Sequence, residues 1–228
     1  MINNKFIIAH RGASFYEKGN TMDSFKLAVV LKADIIELDA RKTIDGEIIV
    51  FHDEKIGGKL IKEMNHEEIN NILGYLAPSF EEVLKYFKGI AKLDIHLKES
   101  GYEEEFVHLI LKYLDLDDFF ISSEIPSSLE KIKKICPGIK TGLVLGSYFK
   151  DILFFVLNGL SKKEMYSQYV DILIPRWQLA NRILLNKAKK YNKKVIPWSV
   201  NNRKVAEKFL KEEAVMGIVT NMPDLMRR

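Results

Sequence analysis

The sequence predicts an α/β fold, a (β/α)8 TIM barrel with a short hairpin and a small insertion after the second strand. Short apolar runs alternate with longer stretches of helical period, the pattern of parallel strands joined by crossover helices. Eight such strand candidates fall within 228 residues, a normal length for one closed barrel. Polar and charged residues gather where several of these runs end, and a barrel carries its chemistry at the carboxyl ends of its strands.

Each element has a local reason. Phe6 to His10 is the first apolar run, and Asn20 is placed to cap a helix whose third position is Asp23. Asp34 to Thr43 is the second strand. Asp45-Gly46 favours the positive φ angles of a tight hairpin, which folds Glu47 to His52 back onto it. Gly57-Gly58 and a helix from His66 to Leu73 form the small insertion. Ser79 and Glu82 have capping-box spacing ahead of Val83, Leu84 and Phe87. Strands follow at Ile90 to Lys98, Phe119 to Ser123 and Lys140 to Leu145. Phe149, Ile152, Leu153, Phe154, Phe155 and Val156 read best as the inner face of a crossover helix ending near Gly159; the other reading is a greasy rim that admits lysophospholipid chains. The last strands are Asp171 to Ile174, Lys194 to Val200 and Gly217 to Thr220. No linker, repeat or low-complexity segment interrupts the series, so residues 1–228 are expected to form one domain.

Composition narrows the function classes. Lys and Arg number 35 against 31 Asp and Glu, and a net charge of +4, evenly spread, argues against a nucleic-acid surface but not against small anionic substrates. The single cysteine, Cys136, excludes an intrachain disulfide and fits a small apolar role beside Pro137. No apolar run approaches the ~20 residues that span a bilayer, so no transmembrane segment and a cytoplasmic location are expected.

Side chains alternate along a strand, so Glu37 and Asp39 share one face while Ile36 and Leu38 share the other. Two carboxylates held close repel unless a cation lies between them, which makes a hard ion such as Ca²⁺ or Mg²⁺ the economical reading; an ion pair with Arg41 or Lys42 is the plain one. His10 and His52 each end a strand beside this pair. An imidazole exchanges protons near neutral pH, and phosphodiester cleavage needs one group to activate the nucleophile and another to protonate the leaving oxygen. Arg11 adds a planar fork of donors suited to phosphate, and Gly12 lets the backbone turn close to a ligand. Asp94, His96 and Lys98 fall at alternate positions of the third strand, where Lys98 is suited to phosphate and His96 to completing the metal's ligands. Trp198 closes the seventh strand, as an aromatic wall for the substrate or as part of the barrel's upper layer. His66 and His108 fall on helices with no partner in sequence reach.

With these residues in place, the chain resembles the glycerophosphodiester phosphodiesterase family over nearly its whole length. The family pattern is met by His10-Arg11-Gly12, Asn20-Thr21, Glu37-Leu38-Asp39, Thr43-Ile44-Asp45-Gly46 and His52-Asp53. Later matches are Pro78 to Leu84, Lys98, Trp198 to Asn201 and Gly217 to Pro223. The resemblance implies His10 and His52 as general base and general acid, Arg11 and Lys98 on the phosphate, and Glu37 and Asp39 on a divalent metal. It also implies release of an alcohol and glycerol 3-phosphate from a glycerophosphodiester. A lysophospholipase D, a lyase forming a cyclic phosphate, and a barrel that binds phosphate ligands without cleaving them are the alternatives.

Three places in the sequence depart from the family pattern. His96 stands where a metal-binding glutamate is usual, which moves the expected ion from Mg²⁺ or Ca²⁺ toward Mn²⁺ or Zn²⁺. Glu124 replaces an aromatic and offers a substitute carboxylate. Lys18-Gly19 replaces Pro-Glu ahead of Asn20.

Overall fold

A computed structural model describes residues 5–146 and 163–225, so the apolar run from Phe149 to Val156 lies outside the described residues. The parallel strands are β1 (Phe6–Ala9), β2 (Ile35–Lys42), β6 (Lys92–Leu97), β7 (Phe119–Ser123), β8 (Thr141–Leu145), β9 (Ile172–Pro175), β10 (Lys194–Val195) and β11 (Gly217–Thr220). They run in the order β10-β9-β8-β7-β6-β2-β1-β11. The ring closes where Met216 N donates to Val195 O at 3.0 Å, Val195 N to Ala214 O at 2.9 Å and Val219 N to Pro197 O at 2.9 Å. β3 (Ile48–Val50) folds back antiparallel on β2, as Asp45-Gly46 predicted, with Gly46 at φ +86°.

The insertion after β3 is a two-stranded ribbon, β4 (Lys55–Ile56) with β5 (Lys59–Leu60), followed by α2 (His66–Leu73). Ile49, Phe51, Ile61, Met64 and Ile69 give it a core of its own. His66 is not without partners: Glu47 lies 3.0 Å from its Nδ1, and the Ala77 carbonyl 2.8 Å from its Nε2, which ties the insertion to the hairpin. His108 lies on α4 (Glu103–Tyr113), as expected.

Around the barrel stand α1 (Met22–Val30), α3 (Phe80–Phe87), α4, α5 (Pro126–Ile135), α6 (Arg182–Lys190) and α7 (Arg203–Leu210). Ser79 accepts the Glu82 amide at 3.2 Å and starts α3. The cap of α1 is Thr21 rather than Asn20: Thr21 Oγ1 accepts from Ser24 N, and Ser24 Oγ accepts in return from Thr21 N. Asn20 is drawn away into a left-handed conformation, φ +61°, because its side chain bonds to Asp39. Cys136 ends α5 and packs half-buried against the core. The seventh barrel strand is shorter than the run Lys194 to Val200 suggested. Pro197 has no N–H for the ladder, so regular pairing stops at Val195 while single backbone bonds continue through Trp198 and Val200.

Two apolar layers follow from the alternation of each strand. Ile36, Leu38 and Ala40 of β2 face outward into the large core under the helices, whereas Ile35 faces inward with Ile8, Phe120, Val144, Ile172, Ile174, Ile196 and Val219. No helix among the described residues is long and apolar enough to cross a membrane. Phe106 of α4 is fully buried and stacks on Phe80 of α3 with ring centroids 5.2 Å apart. Phe106→Ala is expected to cost about 3–5 kcal/mol, read as a lowered urea midpoint at unchanged slope.

Candidate active site

On β2 the inward face reads Ile35, Glu37, Asp39, Arg41, apolar at the bottom of the barrel and charged at its mouth. Parallel pairing sets Glu37 beside Asp94 and Asp39 beside His96 on β6, and His96 beside Ser122 on β7. These polar residues floor a cavity of about 640 Å³. All of the predicted site residues line it: His10, Arg11, Glu37, Asp39, His52, His96, Lys98 and Trp198.

Asp39 is the hub. Its Oδ1 lies 3.3 Å from both His96 Nδ1 and Lys98 Nζ. Its Oδ2 accepts from Asn20 Nδ2 at 2.8 Å and lies 3.2 Å from Arg11 Nε, which is too far off-line to count as a hydrogen bond. Burial alone would raise the Asp39 carboxyl, but Lys98, His96 and Arg11 hold it well below the usual carboxylate range. Glu37 accepts the Arg11 amide at 2.7 Å. Arg41 and Lys42 do not pair with either carboxylate: Arg41 binds Glu99 and donates Nε to the His52 carbonyl at 2.9 Å, and Lys42 pairs with Glu105.

Burial and the neighbouring Glu37 push Asp94 up to about 8, against the 2.6 Å bond from Ser122 Oγ. Burial and Lys98 oppose a charge on His96, yet Asp39, Glu124 and Glu37 together raise its imidazole well above the ordinary value. A carboxylate oxygen of Glu37, one of Asp39 and a ring nitrogen of His96 lie within 4.8 Å of one another, all three residues buried. This donor set fits a divalent ion: two anionic oxygens and one nitrogen converge on one point and leave further positions for ligand oxygens.

The two strand-end histidines sit higher and wetter. His10 Nδ1 lies 2.7 Å from Asn221 Oδ1, an acceptor, a contact that suits the tautomer with its proton on Nδ1. Ser199 Oγ, 3.4 Å away, and the Trp198 ring, 6.5 Å between centroids, flank it. Trp198 lines the cavity, while its Nε1 donates to Ile174 O at 3.0 Å and its ring packs on the inner layer. His52 Nδ1 lies 2.7 Å from Asp53 Oδ1. Burial, with Lys98 and Arg11 nearby, lowers its pKa despite the opposing pull of Asp39 and Asp53.

The reading of the sequence did not assign the contacts that several cavity-side residues make. Asn20 looked like a helix cap, yet it orients Asp39; Asn221, within the Gly217 to Pro223 match, orients His10. Asp53 and Arg41 hold the side chain and the backbone of His52. Position alone announced only Asp53, directly after His52. Glu124 does face the cavity, 3.1 Å from His96 Nε2 and 3.9 Å from Lys98 Nζ.

A barrel with carboxylates, imidazoles and cations converging at its mouth defines a hydrolytic (β/α)8 enzyme of phosphate esters. The chain belongs to the glycerophosphoryl diester phosphodiesterase family, which it matches over residues 10–225. It is 32% identical to YhdW of Bacillus subtilis (strain 168), over 97% of this chain and 96% of that one. It is 30% identical to the glycerophosphodiester phosphodiesterase of Caldanaerobacter subterraneus subsp. tengcongensis, over 96% and 95%. In fold it is similar to an Oleispira antarctica phosphodiesterase solved with its product sn-glycerol-3-phosphate, with a TM-score of 0.78, 20% identity, and 97% and 95% of the two chains covered.

Gly12 holds the first loop close to α1. It has φ +79°, and a Cβ there would meet Ser24 Oγ at 2.5 Å and the Ser24 carbonyl carbon at 2.6 Å. Gly12→Ala is therefore expected to lower the melting temperature and to displace Arg11 and His10, with the stability loss measured by calorimetry and the displacement by the His10 ring signals in NMR.

Proposed function

We propose that this chain is a metal-dependent glycerophosphodiester phosphodiesterase that hydrolyses its substrate to an alcohol and glycerol 3-phosphate by histidine acid–base catalysis. The observation that carries this reading is the pairing of two imidazoles, each held at Nδ1 by an oxygen of the chain, with a buried acidic cluster and the cations Arg11 and Lys98 in one cavity. The product named for the Oleispira antarctica structure supports the same substrate class.

Glu37, Asp39 and His96 would hold a divalent ion, which supplies Lewis-acid stabilisation of charge on the phosphate oxygens. Arg11 and Lys98 bind and orient the phosphate, and Trp198 bounds the organic part. His10 Nε2 takes the proton from the attacking hydroxyl, which belongs to water or first to the substrate itself. As the bond from phosphorus to the alcohol oxygen breaks, His52 Nε2 donates a proton to that oxygen. In the free site burial lowers the proton affinity of His52; the anionic phosphodiester beside it raises that affinity again when substrate is bound. One diester and one water become one alcohol and one glycerol 3-phosphate.

The two histidines are distinguishable by leaving group. With glycerophosphocholine, His10→Ala and His52→Ala are each expected to lose about 10²–10⁴ in kcat with circular dichroism unchanged. With an aryl phosphodiester, whose leaving oxide needs no proton, His52→Ala should recover most of its rate and His10→Ala should not. Equal losses of the two variants on both substrates would remove the acid role from His52.

His96 sets the second expectation. Imidazole suits borderline ions better than Ca²⁺, so Mn²⁺ or Zn²⁺ added to the metal-stripped protein should support more turnover than Ca²⁺. His96→Glu should reverse that order, and an unchanged order would exclude His96 from the ligand set.

A further inference from the structure

His96 has carboxylates at both of its ring nitrogens. Nδ1 lies 3.3 Å from Asp39 Oδ1 and 3.8 Å from Glu37 Oε1, while Nε2, on the far edge of the ring, lies 3.1 Å from Glu124 Oε2. A neutral imidazole has one N–H and one lone pair, and the partner of one nitrogen decides what the other can do. Glu124 follows directly after β7, whose Ser122 pairs with His96, so it reaches the ring from the side opposite to β2. The donor atoms that converge are those of Glu37, Asp39 and His96, and Glu124 is not among them.

We propose that Glu124 is a positioning residue for His96: it accepts the Nε2 proton and thereby commits the Nδ1 lone pair to an ion between Glu37 and Asp39. Glu124 is thus the outer partner of the centre rather than a replacement for a missing ligand. A carboxylate behind a ligating imidazole fixes the ring's orientation and raises its basicity, and losing such a partner costs about 10- to 100-fold in metal affinity. The benefit reaches only ions that use the imidazole, so Glu124 favours Mn²⁺ and Zn²⁺ over Ca²⁺. Lys98, 3.9 Å from Glu124 Oε1 and 3.3 Å from Asp39 Oδ1, faces both carboxylates and keeps the pair from accumulating negative charge. The proposal rests on the metal-dependent reading given above.

The test is direct metal binding to the full chain by calorimetry, with Mn²⁺, Zn²⁺ and Ca²⁺ as separate probes and the visible spectrum of bound Co²⁺ as a signature of nitrogen ligation. Glu124→Ala is expected to weaken Mn²⁺ and Zn²⁺ about 10- to 100-fold, to leave Ca²⁺ nearly unchanged and to alter the Co²⁺ spectrum. Glu124→Gln, whose amide oxygen accepts the same proton, should recover most of the affinity. In a His96→Glu background, Glu124→Ala should have no further effect on any ion. An equal loss in both backgrounds would make Glu124 a direct ligand and overturn the proposal, as would Mn²⁺ binding insensitive to Glu124→Ala. If the unsubstituted chain bound none of the ions, the metal reading would fall with it, and that failure is distinct from one confined to Glu124.

Discussion

Asp39 is a carboxylate taken almost wholly out of water, and the barrel mouth is arranged around keeping it charged. An unpaired charge in that position would cost several kcal/mol, so the site is stable only because partners arrive from every side. Arg11 comes from the end of β1, Asn20 from the loop before α1, and His96 and Lys98 from β6 and its end. None of these partners lies within 15 positions of Asp39 in sequence; parallel pairing of β2 with β1 on one side and β6 on the other brings them together. A slip of one residue in β2 would turn Ile36 and Leu38 inward and Glu37 and Asp39 into the helical core, so the apolar alternation that builds the fold also protects the site.

Above this dry layer the chemistry divides by exposure. The cluster of Glu37, Asp39 and His96 is buried and suited to holding charge, whereas His10 and His52 stand nearer solvent and are suited to moving protons. Each of the two upper imidazoles has its Nδ1 occupied by an oxygen of the chain, Asn221 for one and Asp53 for the other. One partner is a neutral amide and the other a carboxylate. Arg41 bridges the layers, because its guanidinium holds the His52 backbone while binding Glu99 beyond β6.

The replacement of a family glutamate by His96 is accommodated rather than merely tolerated. A glutamate side chain ends in one group of oxygens, but an imidazole has two nitrogens on opposite edges, and each needs a partner in a buried site. Glu124 meets the second nitrogen, and Lys98 lies between the two acidic walls. The small insertion is tied to the hairpin by His66, which meets Glu47 and the Ala77 carbonyl.

By itself the sequence determined the barrel, the hairpin after Asp45-Gly46, the faces of β2 and β6, and the set of side chains that meet in the cavity. Those are consequences of period and of strand-end position, which are local properties of the chain. Tertiary structure alone decided what each side chain bonds to. Asn20 had every local mark of a helix cap, and Thr21 could take that place, so the long-range bond to Asp39 prevailed. Pro197 shortened the seventh strand within a run that looked continuous. The pairing of His10 with Asn221 spans most of the chain, and that of His96 with Glu124 depends on two strands being neighbours in the ring. Such contacts are set by strand neighbourhood and register, which no local pattern encodes, and they decide which groups of the chain meet the nitrogens of each histidine.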